Sequence, residues 1–321
     1  MKKISTINIL KNTIIFFCIT YLIYEIINNF NYIESIFIKN KNIFFILIFV
    51  QLVHLNIISL RNFSIFQICA NYTGKFFDWC KIFYESLIFN ILISHTGSVY
   101  RAIETKKRGL EYNKYVGLFY ILFTSYILIN IFLVLLELIF LPIIEFQFKL
   151  NLFIIFIILT ILVIYLPKIL KLLLFGNFIK KKFFKYKIIK KIIDNGELIF
   201  LFLSTKIFIK KTIFYLLIYG IMIHILDLFI FYFSSVIIQP EIPIKTLLLL
   251  FGLNFILDRI PLISNIPGIN EILFASISIP LGFFFIDGLV LKLLLRVISV
   301  IGIFINYIIF YILNLINVIK I

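Results

Sequence analysis

Residues Ile88–Ala102 read IFNILISHTGSVYRA, a polar, glycine-containing break inside an otherwise apolar chain. The largely apolar run leading into it, Ile82–Thr96, is 15 residues long. At 1.5 Å per residue such a helix covers about 22 Å, short of the roughly 30 Å hydrocarbon core of a bilayer. Both flanks are basic: Lys75 and Lys81 precede the run, and Arg101, Lys106, Lys107, Arg108 and Lys114 follow it. Loops rich in Lys and Arg stay on the cytoplasmic side. A segment too short to span, with both ends cytoplasmic, is expected to enter the membrane and turn back. Irregular backbone at that depth persists only where protein buries it or where it lines a wet cavity.

The rest of the chain fits that setting. It has 321 residues, of which 63% are hydrophobic, and a mean hydropathy of +1.13. Soluble domains sit nearer about 45–50% apolar. Apolar runs of span length recur from end to end, which predicts an all-α polytopic membrane protein. About seven or eight transmembrane helices are expected, with two re-entrant or broken helices among them. A β-barrel would instead show short segments of alternating polarity. The net charge is +16, and its Lys and Arg cluster in a few loops that abut the spans. They read as orientation signals and as contacts to anionic lipid headgroups, above all over residues 177–211. That placement argues against nucleic acid as a partner. Cys18, Cys69 and Cys80 are too few and too scattered for a disulfide framework or a metal site. No cofactor is expected.

Along the chain, the first span is expected at Thr13–Ile27, with the N-terminus cytoplasmic, and the second at Ile43–Leu60, returning before Arg61. Trp79, between Asp78 and Lys81, suits a membrane interface. Further spans are expected at Tyr115–Leu141, Leu150–Leu166 and Thr212–Ile237, with later apolar stretches at Ile272–Ile286 and Leu289–Ile316. Between them lies the basic stretch Pro167–Lys211, with an apolar patch at Leu198–Leu203 that the pattern does not place. Thr246–Leu257 is a second apolar run too short to span, ending at Asp258, Arg259 and Pro261. The chain reads as one membrane-embedded domain, 1–321, with halves 1–166 and 212–321 joined by 167–211. Interrupted segments in corresponding halves point to a binding site in transporters. The two breaks, Ile82–Gly97 and Thr246–Glu271, are therefore expected to face a shared cavity.

At these breaks the sequence resembles the transmembrane module of lysylphosphatidylglycerol synthases, which also occurs alone in flippase-like integral membrane proteins. The first matching stretch contains Asn90, Gly97, Arg101 and Ala102, followed by Lys106-Lys107-Arg108-Gly109-Leu110. The loop proline common in that family is missing, and Ser98 stands where many members carry an acidic residue. The second stretch is Pro267-Gly268-Ile269-Asn270-Glu271, then Ala275 and Leu293-Leu294-Leu295-Arg296. Its spacing from Pro-Gly to Glu is shorter than usual. Arg61 also fits the pattern, and the resemblance covers most of Ile43–Phe304. In two-part members a soluble domain transfers lysine from tRNA to a lipid, and the membrane module is associated with moving that lipid between leaflets. The resemblance implies the second role here and argues against aminoacyl transfer.

The candidate substrate-binding residues are Arg61, Asn90, His95, Gly97, Arg101, Arg259, Pro267, Gly268, Asn270, Glu271 and Arg296. A guanidinium fork matches phosphate geometry in a way a point charge does not. Arg101 and Arg61 either capture a headgroup phosphate or act as ordinary positive-inside anchors. Charges at membrane depth cost about 2.5–3.5 kcal/mol on insertion scales, so they pair or line a pathway. Glu271 either pairs with Arg296 or Arg259, or serves the positive end of a helix that it opens. His224 and Asp227 are three apart on one helix face, a spacing that Gln51 and His54 repeat. They form either a proton relay or a polar bond that holds helices together. Asn90, Gly97, Pro267 and Gly268 shape the backbone of the breaks.

The expected function is binding or translocation of a membrane phospholipid or a lipid-linked glycan. One alternative is a membrane glycosyltransferase or other lipid-modifying transferase. The acidic loop residues Glu145, Glu241 and Asp258 are isolated, which weighs against an acidic catalytic pair and hence against an enzyme. Another alternative is a non-catalytic partner of a separate glycosyltransferase. The expected location is the cytoplasmic membrane.

Overall fold

A computed structural model describes residues 20–21, 23–92, 96–139, 209–258 and 268–319, together with isolated helical positions between 154 and 206. Cys18, Pro142, Glu145 and most of 167–211 lie outside the described residues, as does all of the first expected span up to residue 19. Every regular element described is helical. In chain order these are α1 Phe30–Lys39, α2 Lys41–Ala70, α3 Phe76–Leu92, α4 Thr96–Lys107 and α5 Tyr112–Ile139. They continue with α6 Lys210–Ile238, α7 Ile244–Leu257, α8 Ile269–Ser278 and α9 Phe285–Ile319.

Four of these helices, α2, α5, α6 and α9, are long and apolar enough to cross a membrane. In α2, α5 and α6 the apolar residues run all round the helix rather than along one stripe. In the apolar windows of α2, α5 and α6 only 28% of the residues are buried inside the protein. The rest point outward, with Phe45, Phe49, Phe119, Phe214 and Ile225 among the exposed side chains. Apolar surface on that scale is unfavourable in water and is solvated by hydrocarbon. The chain is therefore an all-helical protein of the membrane class.

The helix ends have local causes. Asn71, at φ 53°, takes the left-handed conformation that closes α2, and the Tyr72 amide bonds back to the Phe66 carbonyl at 3.3 Å. Asn tolerates that region because its short polar side chain bonds locally. The stretch expected as one run at Ile272–Ile286 is interrupted. A 3₁₀ turn at Ile279–Leu281 carries Pro280, and Gly282 follows in the left-handed conformation, so the helix stops and restarts at Phe285.

The chain divides into two compact units that alternate in sequence. One comprises Met1–Val53 and Leu226–Gly302, and the other His54–Ile225 and Ile303–Ile321. The first has an apolar core around Leu47, Phe231, Leu250, Phe251, Phe274 and Leu289. Phe231 meets Phe251 and Phe274 edge-on, at 5.5 and 6.3 Å between ring centroids. The core of the second is aromatic: Phe63, Phe66, Trp79, Phe83, Tyr84, Tyr115 and Phe310. Phe202 and Leu203 belong to it as well. The unplaced apolar patch thus contributes to a core, and Phe202 packs on Gly117 where a larger residue would collide.

Two expectations are corrected in the second unit. Trp79 does not face outward as an aromatic anchor. It is fully buried, and its indole N–H donates to the Ser59 carbonyl at 3.0 Å. Arg61 does not end the helix of the second expected span. That helix continues to Ala70, and Arg61 and Asn62 are buried within it. The Arg61 guanidinium bonds the Asn62 side chain at 3.3 Å and lies 5.4 Å from the centre of the Tyr126 ring. A long polar side chain can sit inside such a helix once neighbouring groups hold its charge.

Candidate functional site

The first break is a helical hairpin within the second unit. Thr96 bonds the Phe89 carbonyl, Gly97 meets Asn90 and Ser86, and Tyr100 meets Glu85. Partner numbers fall along α3 as they rise along α4, so the two helices run antiparallel. Two residues set how closely they approach. A β-carbon on Gly97 would collide with the Ser86 carbonyl and with the Asn90 side chain. Only glycine lets the backbones come so near. The Asn90 side-chain oxygen then accepts the Gly97 amide at 2.8 Å. That satisfies an N–H that the first turn of α4 leaves without a helical partner.

The hairpin fixes Arg101. Its Nε and Nη2 donate to the Ser86 hydroxyl at 3.0 and 2.5 Å, and that hydroxyl donates to the Phe83 carbonyl at 2.6 Å. The guanidinium carbon lies 4.8 Å from the centre of the Phe83 ring. Two of the three guanidinium nitrogens are thus engaged. No described residue accepts from Nη1. On the other side of α4, Tyr100 bonds Glu85 and packs its ring 4.8 Å from that of Phe89. Tyr115 donates to the Ser98 carbonyl at 3.1 Å, tying the hairpin to α5. Asn90, Gly97 and Arg101 therefore come together as the sequence pattern implied. His95 lies outside the described residues.

The second break lies in the other unit. Glu271 is buried and does two things at once. One carboxylate oxygen accepts the Gly268 amide at 2.8 Å, and the other pairs with Arg296. Gly268, at φ 88°, holds a conformation that L residues resist. The reach of Glu271 back to that amide is half of a capping box. Of the alternatives open in the sequence, helix capping and the Arg296 pair are realised together. Arg259 and Pro267 lie outside the described residues.

Beside this pair is a cluster that the sequence reading missed. The Lys292 side chain is buried and donates to Asp258 at 2.6 Å and to Asn254 at 2.5 Å. It lies 5.7 Å from the centre of the Phe274 ring. Asn270 donates to the same Asp258 oxygen at 2.7 Å, while its own side-chain oxygen is buried without a partner. Asp258 thus joins one cation and one amide, Lys292 and Asn270. One signal was available: Lys292 stands four residues before Arg296, on the same helix face within an apolar run.

His224 lies in α6, within the second unit, and is buried. The carboxylate that meets it is Glu137, at 2.8 Å, and Asn130 holds its other ring nitrogen at 2.7 Å. Neither partner was singled out in the sequence, because both come from α5, about ninety residues away. Asp227, the partner expected from spacing, is half-buried.

Among the described residues no group of three His, Cys, Asp or Glu side chains could hold a metal ion. No family model matches the chain, and no curated protein or solved structure matches it either.

Proposed function

We propose that the protein binds a phosphate-bearing lipid or lipid-linked glycan and moves it between leaflets of the cytoplasmic membrane. The reading includes about seven or eight crossings with a cytoplasmic N-terminus, and two helix breaks that enter the membrane and return. The observation that carries it is the setting of Arg101. A guanidinium is held from one side by Ser86 and against the face of Phe83, with no described residue accepting from Nη1. Orienting the fork in advance reduces the ordering cost of binding, and an anionic phosphate is the ligand it fits best. Its attachment to a hairpin of 17- and 12-residue helices places it on short elements rather than on a full span. The resemblance of residues 90–110 to flippase-like membrane proteins agrees with this reading.

The test is transport by the purified protein. Proteoliposomes with fluorescent phospholipid or polyprenyl-phosphate sugar in both leaflets are exposed to a membrane-impermeant quencher. Faster loss of the protected pool than in empty vesicles, removed by Arg101→Ala, is the expected outcome. Equal loss with and without protein, across anionic, zwitterionic and polyprenyl lipids, would overturn the reading.

A further inference from the structure

The hydrogen bonds around His224 cannot all be made unless the site holds an extra proton. Asn130 donates its amide N–H to the Tyr126 carbonyl at 2.8 Å, which turns its oxygen toward the imidazole. That oxygen faces Nδ1 at 2.7 Å, and Glu137 Oε1 faces Nε2 at 2.8 Å. Both ring nitrogens thus meet oxygen. A neutral imidazole has one N–H and one lone pair. With Glu137 ionised, it could satisfy one of these oxygens and would present a lone pair to the other. Turning the Asn130 amide over brings no relief, because its oxygen would then face the Tyr126 carbonyl.

Two arrangements satisfy every contact. Either an imidazolium donates from both nitrogens to Asn130 and to the Glu137 carboxylate, or a neutral Nδ1–H imidazole accepts a proton shared by a Glu137 carboxylic acid. Each contains one proton more than neutral His224 beside ionised Glu137. Each is also net neutral, whereas the form without that proton carries one negative charge. Its second carboxylate oxygen, Oε2, is already buried without a hydrogen-bond partner.

We propose that His224, Glu137 and Asn130 form a proton-binding site, and that the bound proton latches α6 to α5. One proton enters and no covalent bond is broken. When it leaves, the lone pairs of His224 and Glu137 or Asn130 oppose each other, and the contact between the helices loosens. The helices are close enough to respond: a β-carbon on Gly220, one turn before His224, would come within 2.6 Å of Ile129. Among the described residues, Arg61 of α2 lies over the ring of Tyr126, whose carbonyl holds Asn130, and Asp227 stands three residues after His224 in the sequence. A protein that moves a charged ligand can use such a latch to take its driving force from a proton gradient. The proton site itself does not depend on the lipid reading.

Proton occupancy is read directly, without lipid cargo. Protein labelled with ¹⁵N-histidine and ¹³C-glutamate in nanodiscs is titrated by NMR, with signals assigned by their loss in His224→Asn and Glu137→Gln. The expected result is that the pair holds its extra proton, as imidazolium or as carboxylic acid, whenever α5 and α6 are in contact. Above the pH of release, the signals of α5 and α6 should shift with it. Glu137→Gln can donate an amide N–H to Nε2 without an added proton. It should keep the helix contact and lose the pH response altogether. A neutral His224 beside an ionised Glu137 with the helix contact intact would overturn the proposal, as would a Glu137→Gln protein with the same pH response as the parent.

Discussion

The Ser86 carbonyl oxygen occupies the place that a β-carbon on Gly97 would take. The hairpin of α3 and α4, and with it the position of Arg101, is set by that single absence of a methyl group. Ser86 serves twice, since its backbone receives Gly97 and its hydroxyl receives Arg101.

Gly97→Ala should therefore force the hairpin apart. Overpacking of this kind costs about 1–3 kcal/mol, because the atom in the way is backbone and cannot rotate aside. The check is cross-linking. Cysteines at Phe89 and Tyr100, whose rings lie 4.8 Å apart, should form a disulfide readily in the parent and poorly with Gly97→Ala. Equal cross-linking would show that the hairpin tolerates the methyl group.

Arg101→Lys keeps the charge and removes the fork. Binding of a phosphate-bearing lipid in nanodiscs should weaken about tenfold, or ~1.4 kcal/mol. Ser86→Ala keeps the guanidinium but releases it from its support, and should weaken binding less. A lysine that binds as well as the arginine would reduce Arg101 to a point charge.

The Lys292–Asp258 pair predicts an asymmetry. The Lys292 side chain is 7% exposed and that of Asp258 38%. Asp258→Ala leaves a buried ammonium with Asn254 and the Phe274 ring but no opposite charge among the described residues, so it should cost about 3–5 kcal/mol. Lys292→Met leaves a carboxylate that water reaches and that Asn270 still bonds. It should cost much less. Thermal unfolding in one detergent would rank the two, and the reverse order would mean that Asp258 is not the support for Lys292.

Glu271 allows its two roles to be separated. Glu271→Gln keeps an oxygen for the Gly268 amide and loses the charge that holds Arg296. Glu271→Ala loses both. The difference between them should be close to the worth of a cap, about 0.5–2 kcal/mol. If the two variants unfold together, the ion pair carries the whole effect.

The long apolar helices were legible in the sequence because a span is written in consecutive residues. Tyr112–Ile139 and Lys210–Ile238 lie within a few residues of the expected bounds. The break at Gly97 was legible too, since glycine acts locally, whereas the stop at Pro280 and Gly282 inside the expected run Ile272–Ile286 was not read. What stayed hidden is pairing across distance. Nothing near Trp79 announces that its N–H reaches Ser59, and the polar residues beside it imitate an interface. Arg61 read as the end of a helix because a charge usually ends a span. Here Asn62 and Tyr126 hold that charge, and α2 runs on. His224 was noticed beside Asp227 on its own helix, while Glu137 and Asn130 went unnoticed, because spacing along one helix reveals faces and not the neighbour across them.

Trp79 is the only tryptophan in the chain. It is fully buried and packs against Phe66 at 4.7 Å between ring centroids, with Phe63, Tyr72 and Phe83 around it. The protein thus carries one indole chromophore, seated in the aromatic core of a single unit and shielded from water. Its emission should be blue-shifted while that unit is intact and should move to the red when the core opens. Excited selectively, it makes one unit luminous and leaves the other dark, so the melting of that unit can be followed by itself in the unlabelled, unmutated chain.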